Sequence, residues 1–104
     1  MISTNEQLDD LGRGLAIIQK QKGFKYGTDS VLLAKFMLKH TGRVKHCVDM
    51  GTGTGILPIL ISRDPKVMQI TGIEIQSDYA DMAKRSVQLN KLEERINILQ
   101  HFEQ

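Results

Sequence analysis

Asp49-Met-Gly51-Thr-Gly53-Thr-Gly55 sets three glycines at alternate positions behind an acid, and Glu74 follows 19 residues after the last of them. Glycine has no Cβ, so a loop built this way lets its backbone approach a ligand closely. The loop ends an apolar-rich run, Val44 to Met50, and opens a helix-like run, Ile56 to Arg63. A helix starting there turns free N–H groups toward the loop and favours negative or polar groups. Strand, glycine loop and helix together make a cradle for a small molecule of nucleotide type. A carboxylate at the carboxyl end of the next strand can accept hydrogen bonds from both hydroxyls of a ribose, and Glu74 stands there. Its plainer reading is an exposed acid at a strand end.

The glycine spacing is G-x-G-x-G, whereas dinucleotide loops use G-x-G-x-x-G, so an oxidoreductase of that kind is disfavoured. No Lys follows Gly55, which excludes the G-x-x-x-x-G-K-[ST] phosphate loop. Asp49 has two compatible roles. It can hydrogen-bond the loop's own amides. It can also face the cationic end of a cofactor, such as the amino group of S-adenosylmethionine.

These elements belong to a chain of 104 residues, enough for one small domain. Its 40% hydrophobic and 25% charged residues are ordinary for a globular protein. No apolar run reaches the roughly 18 residues that span a membrane. The polar, acidic start from Met1 to Leu11 is no secretory signal. Cys47, the lone cysteine, reads as a reduced packing residue of a cytoplasmic protein. The histidines, His40, His46 and His101, lack metal-ligand spacing, so no metal site is expected. Net charge is +2 but uneven: residues 1–46 hold eight Lys/Arg against four Asp/Glu, and residues 47–104 six against eight. A basic amino-terminal side either meets phosphates or is an ordinary solvated surface.

Residues 1–14 read as an extended or loosely helical lead-in. Leu15 to Gln19 and Gly23 to Tyr26 read as two short strands joined by a Lys-Gln-Lys turn. Thr28 or Asp29 is placed to cap a helix over Ser30 to His40. Strands are expected at Val44–Met50, Val67–Ile75 and from Arg95 to Leu99. A helix from about Thr54 to Arg63 tolerates Pro58 near its start. Another, capped by Ser77, runs from Asp78 to about Asn90. The alternation implies an α/β fold with a parallel sheet.

Asp49-x-Gly-x-Gly-x-Gly55 with Gly72-Ile-Glu74-Ile resembles the first two motifs of the Rossmann-like S-adenosylmethionine-dependent methyltransferases. The flanks narrow the likeness. Leu8-Asp-Asp-Leu-Gly-Arg-Gly-Leu15, Gly23 through Ala34, and Asp81 through Val87 with Asn90 resemble the bacterial tRNA(Val) adenine-N6 methyltransferase family, from about Leu8 to Ile98. The resemblance implies a cofactor site made by Thr28, Asp29, Asp49, Gly51, Thr52, Gly53, Gly55, Glu74 and Ile75. In it Gly27-Thr28-Asp29 would close the site from the amino-terminal side. The glycines would cradle the methionine portion and Glu74 the ribose. It further implies S-adenosyl-L-methionine as cofactor and an adenine of tRNA, next to the anticodon, as methyl acceptor.

That family carries an Asn/Asp-Pro-Pro-aromatic motif after its fourth strand, which holds the target amine and stacks the flipped base. The two prolines here, Pro58 and Pro65, lack that context. The chain is therefore expected to be the amino-terminal half of such an enzyme: residues 1–43 an extension with hairpin and capping helix, residues 44–104 the cofactor-binding half. Glu103 would replace the acid that contacts the cofactor's adenine. No catalytic residue is expected in this chain, which alone would be inactive. Alternatives are a non-catalytic cofactor-binding module or subunit, and a methyltransferase acting on rRNA, protein or a small molecule. In the family fold the first strand of the sheet pairs with the fourth. An unpaired Val44–Met50 is thus an open edge inviting self-association.

Overall fold

A computed structural model describes residues 2–22 and 28–100, for Thr28 the backbone alone. The elements run β1 (Glu6–Gly12), β2 (Leu15–Lys20), α1 (Thr28–His40), β3 (Val44–Met50), α2 (Ile56–Ile61), β4 (Val67–Ile73), α3 (Ser77–Leu89) and β5 (Ile96–Leu99). β3, β4 and β5 form a parallel sheet in that order. Cys47 lies opposite Ile70 and Asp49 opposite Gly72, while Ile70 and Gly72 lie opposite Ile96 and Ile98. Ile70, Ile96 and Ile98 are buried with Ile59 and Ile61 of α2 and Ala80, Ala83 and Val87 of α3. Cys47 is half-buried against this core, and burial pushes its thiol pKa up, as for a packing residue. The other sheet face is largely open among the described residues. There Val48 and Met50 are 52% and 58% exposed, beside exposed Gln69 and Asn97.

The antiparallel hairpin differs from the expectation. Leu15–Lys20 is a strand, but its partner is Glu6–Gly12, with Leu8 opposite Ile18 and Asp9 opposite Ile17. The stretch expected to be a loose lead-in is therefore β1. The expected second strand, Gly23–Tyr26, lies outside the described residues. The hairpin turns through Gly12, Arg13 and Gly14, all at positive φ (82°, 56° and 79°). Glycine adopts that region freely, whereas Arg13 is strained there.

β1 is mostly polar, and distant side chains on α3 hold the hairpin. Ser86 Oγ accepts from Ile18 N (2.9 Å). The Asn90 amide accepts from Ala16 N (2.8 Å) and donates to Ala16 O (2.7 Å). Arg85 clasps Glu6 with two bonds of 2.7 and 2.5 Å. Lys20 pairs with Asp78 and lies 4.9 Å from the Tyr79 ring centre.

Helix starts also differ from expectation. α1 already includes Thr28 and Asp29, so neither is an N-cap residue, and Asp29 stands exposed in the first turn. Ser77 is the first residue of α3 and Gln76 occupies the cap, without a side-chain bond. At the other end of the sheet, one guanidinium ties a connection together. Arg95 donates to the carbonyls of Ser62 (2.5 Å), Asp64 (3.2 Å) and Val67 (2.6 Å), across the turn between α2 and β4.

The Glu6–Arg85 pair makes a pH test. The bond from Arg85 lowers the Glu6 pKa from 4.5 to about 2. A carboxylate whose folded pKa is depressed stabilises the fold above its unfolded value, and that contribution fades as pH falls from about 4.5 toward 2. Glu6→Gln should cost about 2 kcal/mol at pH 7 and less at pH 3. Urea unfolding at both pH values measures this.

Candidate functional site

The glycine loop leaves β3 at Met50, and the end of β4 brings Glu74 beside it. Glu74 is 6% exposed. Its Oε1 accepts from Gly53 N (2.8 Å) and its Oε2 from Gln76 N (3.0 Å). Its own N–H donates to Leu99 O (2.9 Å), locking the residue to β5. The carboxylate is thus held at both oxygens by backbone, and each oxygen keeps a lone pair for another donor. Thr52 completes the loop's attachment. Its N–H donates to Ile73 O (2.9 Å), and its hydroxyl donates to Asp49 Oδ2 (2.7 Å). Burial raises the Asp49 pKa, and the Thr52 hydroxyl opposes that rise.

The glycines of this region do different work. Gly53 has φ 60°, and a Cβ there would meet nothing within 4 Å, so backbone conformation and open space are what it supplies. Gly55 has φ 87°, and its Cβ would come 3.2 Å from the Ala83 Cβ; it sets how closely the loop packs on α3. Gly72, next to the carboxyl end of β4, would place a Cβ 2.8 Å from Thr52 Oγ1 and 3.0 Å from Ile98 Cδ1. The absent side chain of Gly72 is the seat of Thr52.

Asp49, Gly51, Thr52, Gly53 and Glu74 line one cavity of about 460 Å³. Gly55 does not line it. Ile75 does not line it, and its side chain is 72% exposed. Asp29 is not on the wall; its neighbour Ser30 is. The Thr28 side chain, Gly27 and Glu103 lie outside the described residues. Sequence reasoning missed Gln19, Ser30, Thr54, Ile56, Leu57, Gln76 and Tyr79, which complete the lining. Gln76 and Tyr79 follow Glu74 so closely that the turn into α3 signals them. Gln19 carries no local signal; it arrives on the hairpin, buried, donating to Asp9 Oδ2 (2.7 Å).

Among the described residues no group of His, Cys, Asp and Glu is placed to hold a metal ion. No helix among them is long and apolar enough to cross a membrane. Gly72→Ala should cost about 1–3 kcal/mol of stability and disturb the Thr52–Asp49 bond, because the rigid sheet leaves Thr52 nowhere to move. Denaturant unfolding, with the Thr52 amide followed by NMR, checks both.

No family model matches the chain. A tRNA1(Val) (adenine(37)-N6)-methyltransferase of Tolumonas auensis is 31% identical over 86 residues, 82% of this chain and 35% of the relative. One from Escherichia fergusonii is 36% identical over 76 residues, 71% of this chain and 30% of the relative. The chain thus spans about a third of the length of the curated relatives it matches. Among solved structures, Methanocaldococcus jannaschii TYW2 in complex with AdoMet superposes with a TM-score of 0.75 at 17% identity, over 95% of this chain and 44% of that one. M. jannaschii Trm5 in complex with adenosine gives 0.72 at 20% identity, over 93% and 30%. The architecture is therefore a partial Rossmann-like methyltransferase fold, and in sequence the chain resembles part of the tRNA1(Val) (adenine(37)-N6)-methyltransferases.

Proposed function

We propose that this chain is the cofactor-binding part of a methyltransferase that uses S-adenosyl-L-methionine and acts on an adenine N6 of tRNA. The observation that carries the reading is the buried Glu74 carboxylate, bonded to Gly53 N at the carboxyl end of β4. The residues present fit the group: open space beside Gly51 and Gly53, a fixed carboxylate and a half-buried acid all border one cavity. Glu74 would take the ribose hydroxyls on its remaining lone pairs. The backbone at Gly51, Thr52 and Gly53 would lie along the methionine portion. Asp49 would face the amino group, whose positive charge favours the ionised acid against the upward push of burial. When bound, the cofactor supplies an electrophilic methyl on a sulfonium centre. The protein's contribution to such a transfer is positioning. No residue of this chain is assigned to hold the acceptor amine. The tRNA acceptor is supported by the relatives' names and by the basic amino-terminal half.

Calorimetric titration with S-adenosylhomocysteine should show binding, weakened about tenfold or more by Glu74→Gln, a loss of at least one charge-assisted hydrogen bond. Affinity should also fall on acidification as Asp49 takes up a proton. Binding of NAD with none of S-adenosylhomocysteine would reverse the reading.

We also propose self-association through β3, which among the described residues is a sheet edge and carries the exposed Val48 and Met50. Sedimentation should give a species larger than a monomer, and Val48→Lys with Met50→Lys should shift it toward the monomer. A stable wild-type monomer would refute this.

A further inference from the structure

A second hollow, of about 330 Å³, opens away from the cofactor cavity. The cavity takes Ile56 and Leu57 from the start of α2, whereas this groove takes Leu60 from its last turn and Arg63 beyond it. Val31 and Ala34 of α1 give the groove an apolar floor with Leu60, and Arg13, Lys35 and Arg63 bring three cations to it. Asp64 is the acid there, and its charge is partly matched: Oδ1 accepts from Lys66 N (3.0 Å), and Oδ2 lies 3.9 Å from Lys66 Nζ.

The Arg63 guanidinium is held in place but not satisfied. Nη2 donates to Leu11 O, which anchors it under the hairpin, while Nε is buried with no hydrogen-bond partner among the described residues. A buried donor left unpaired costs about 1–3 kcal/mol. The guanidinium's charge is therefore only partly compensated, and a guanidinium suits a phosphate oxygen geometrically. The strained hairpin turn presents Arg13 to the same groove.

We propose that this groove is a phosphate-binding site that takes a backbone phosphodiester of the RNA, with Arg63 fixed at its base and Arg13 and Lys35 as movable arms. The inference rests on the RNA part of the reading above and is independent of its cofactor part. The site gives affinity and register, because phosphate contacts carry no base information.

The test uses the full chain with nitrogen-15-labelled arginine and a short RNA hairpin. The Arg63 Nε–H resonance should move on adding RNA. Arg13→Gln with Lys35→Gln should weaken RNA binding about fivefold or more at low salt and flatten its salt dependence by about one unit of slope. The charge-matched pair Lys84→Gln with Lys91→Gln, which does not line the groove, should change affinity less than about twofold. S-adenosylhomocysteine affinity should be the same in all three proteins. An unmoved Arg63 signal while RNA binds, or equal weakening by both pairs, overturns the proposal. So does movement with inorganic phosphate but not with RNA, which assigns the groove to a free anion. If RNA fails to bind while S-adenosylhomocysteine still binds, the RNA reading falls together with this one and the cofactor reading stands.

Discussion

One carboxylate organises the ligand end of this fold. Glu74 is buried, and an ionised acid in that setting must be compensated by donors. Two backbone N–H groups supply them: one from the glycine loop, one from the turn into α3. The bonds therefore do two jobs. They make burial of the charge tolerable, and they pin the loop to the strand end at a fixed distance. A neutral isostere keeps the shape but loses the charge-assisted bonding that makes the loop stiff.

A second layer of support reaches the same loop from beneath. Thr52 rests on the vacancy at Gly72 and directs its hydroxyl to Asp49. Asp49 is thereby aimed by a residue three positions later in the chain, and Thr52 is aimed by a strand residue twenty positions later. The cavity wall is thus set by the sheet. The hairpin contributes Gln19 to that wall, and its attachment depends on Ser86 and Asn90 of α3.

The sheet was largely legible in the sequence. Val44–Met50 matches its strand end for end, because an apolar-rich run stopped by a glycine loop has no helical alternative. The places of Glu74, Gly51 and Gly53 on one cavity were legible because their types and spacing reflect local backbone needs, whereas Gly55 packs against Ala83 instead. β1 was not legible. Glu6 to Gly12 offers Leu8 and Leu11 among polar residues, and it becomes a strand through pairing with β2, whose placement rests on side chains 68 and 74 residues away. The helix caps misled for a related reason. Ser77 and Thr28 have capping side chains, but the chain already enters its helices there. At α3 the backbone N–H of Gln76 is tied to Glu74, so the start of the helix follows from the carboxylate's needs.

Arg95 carries a consequence for how the molecule is made. Its guanidinium gathers three carbonyls around the junction of α2 and β4, more than thirty positions earlier for the first two. A nascent chain leaving the ribosome presents that junction long before the clasp is synthesised. Until Arg95 emerges those carbonyls are left to water, so the bend gains this support only after the residues that precede β5 have been made.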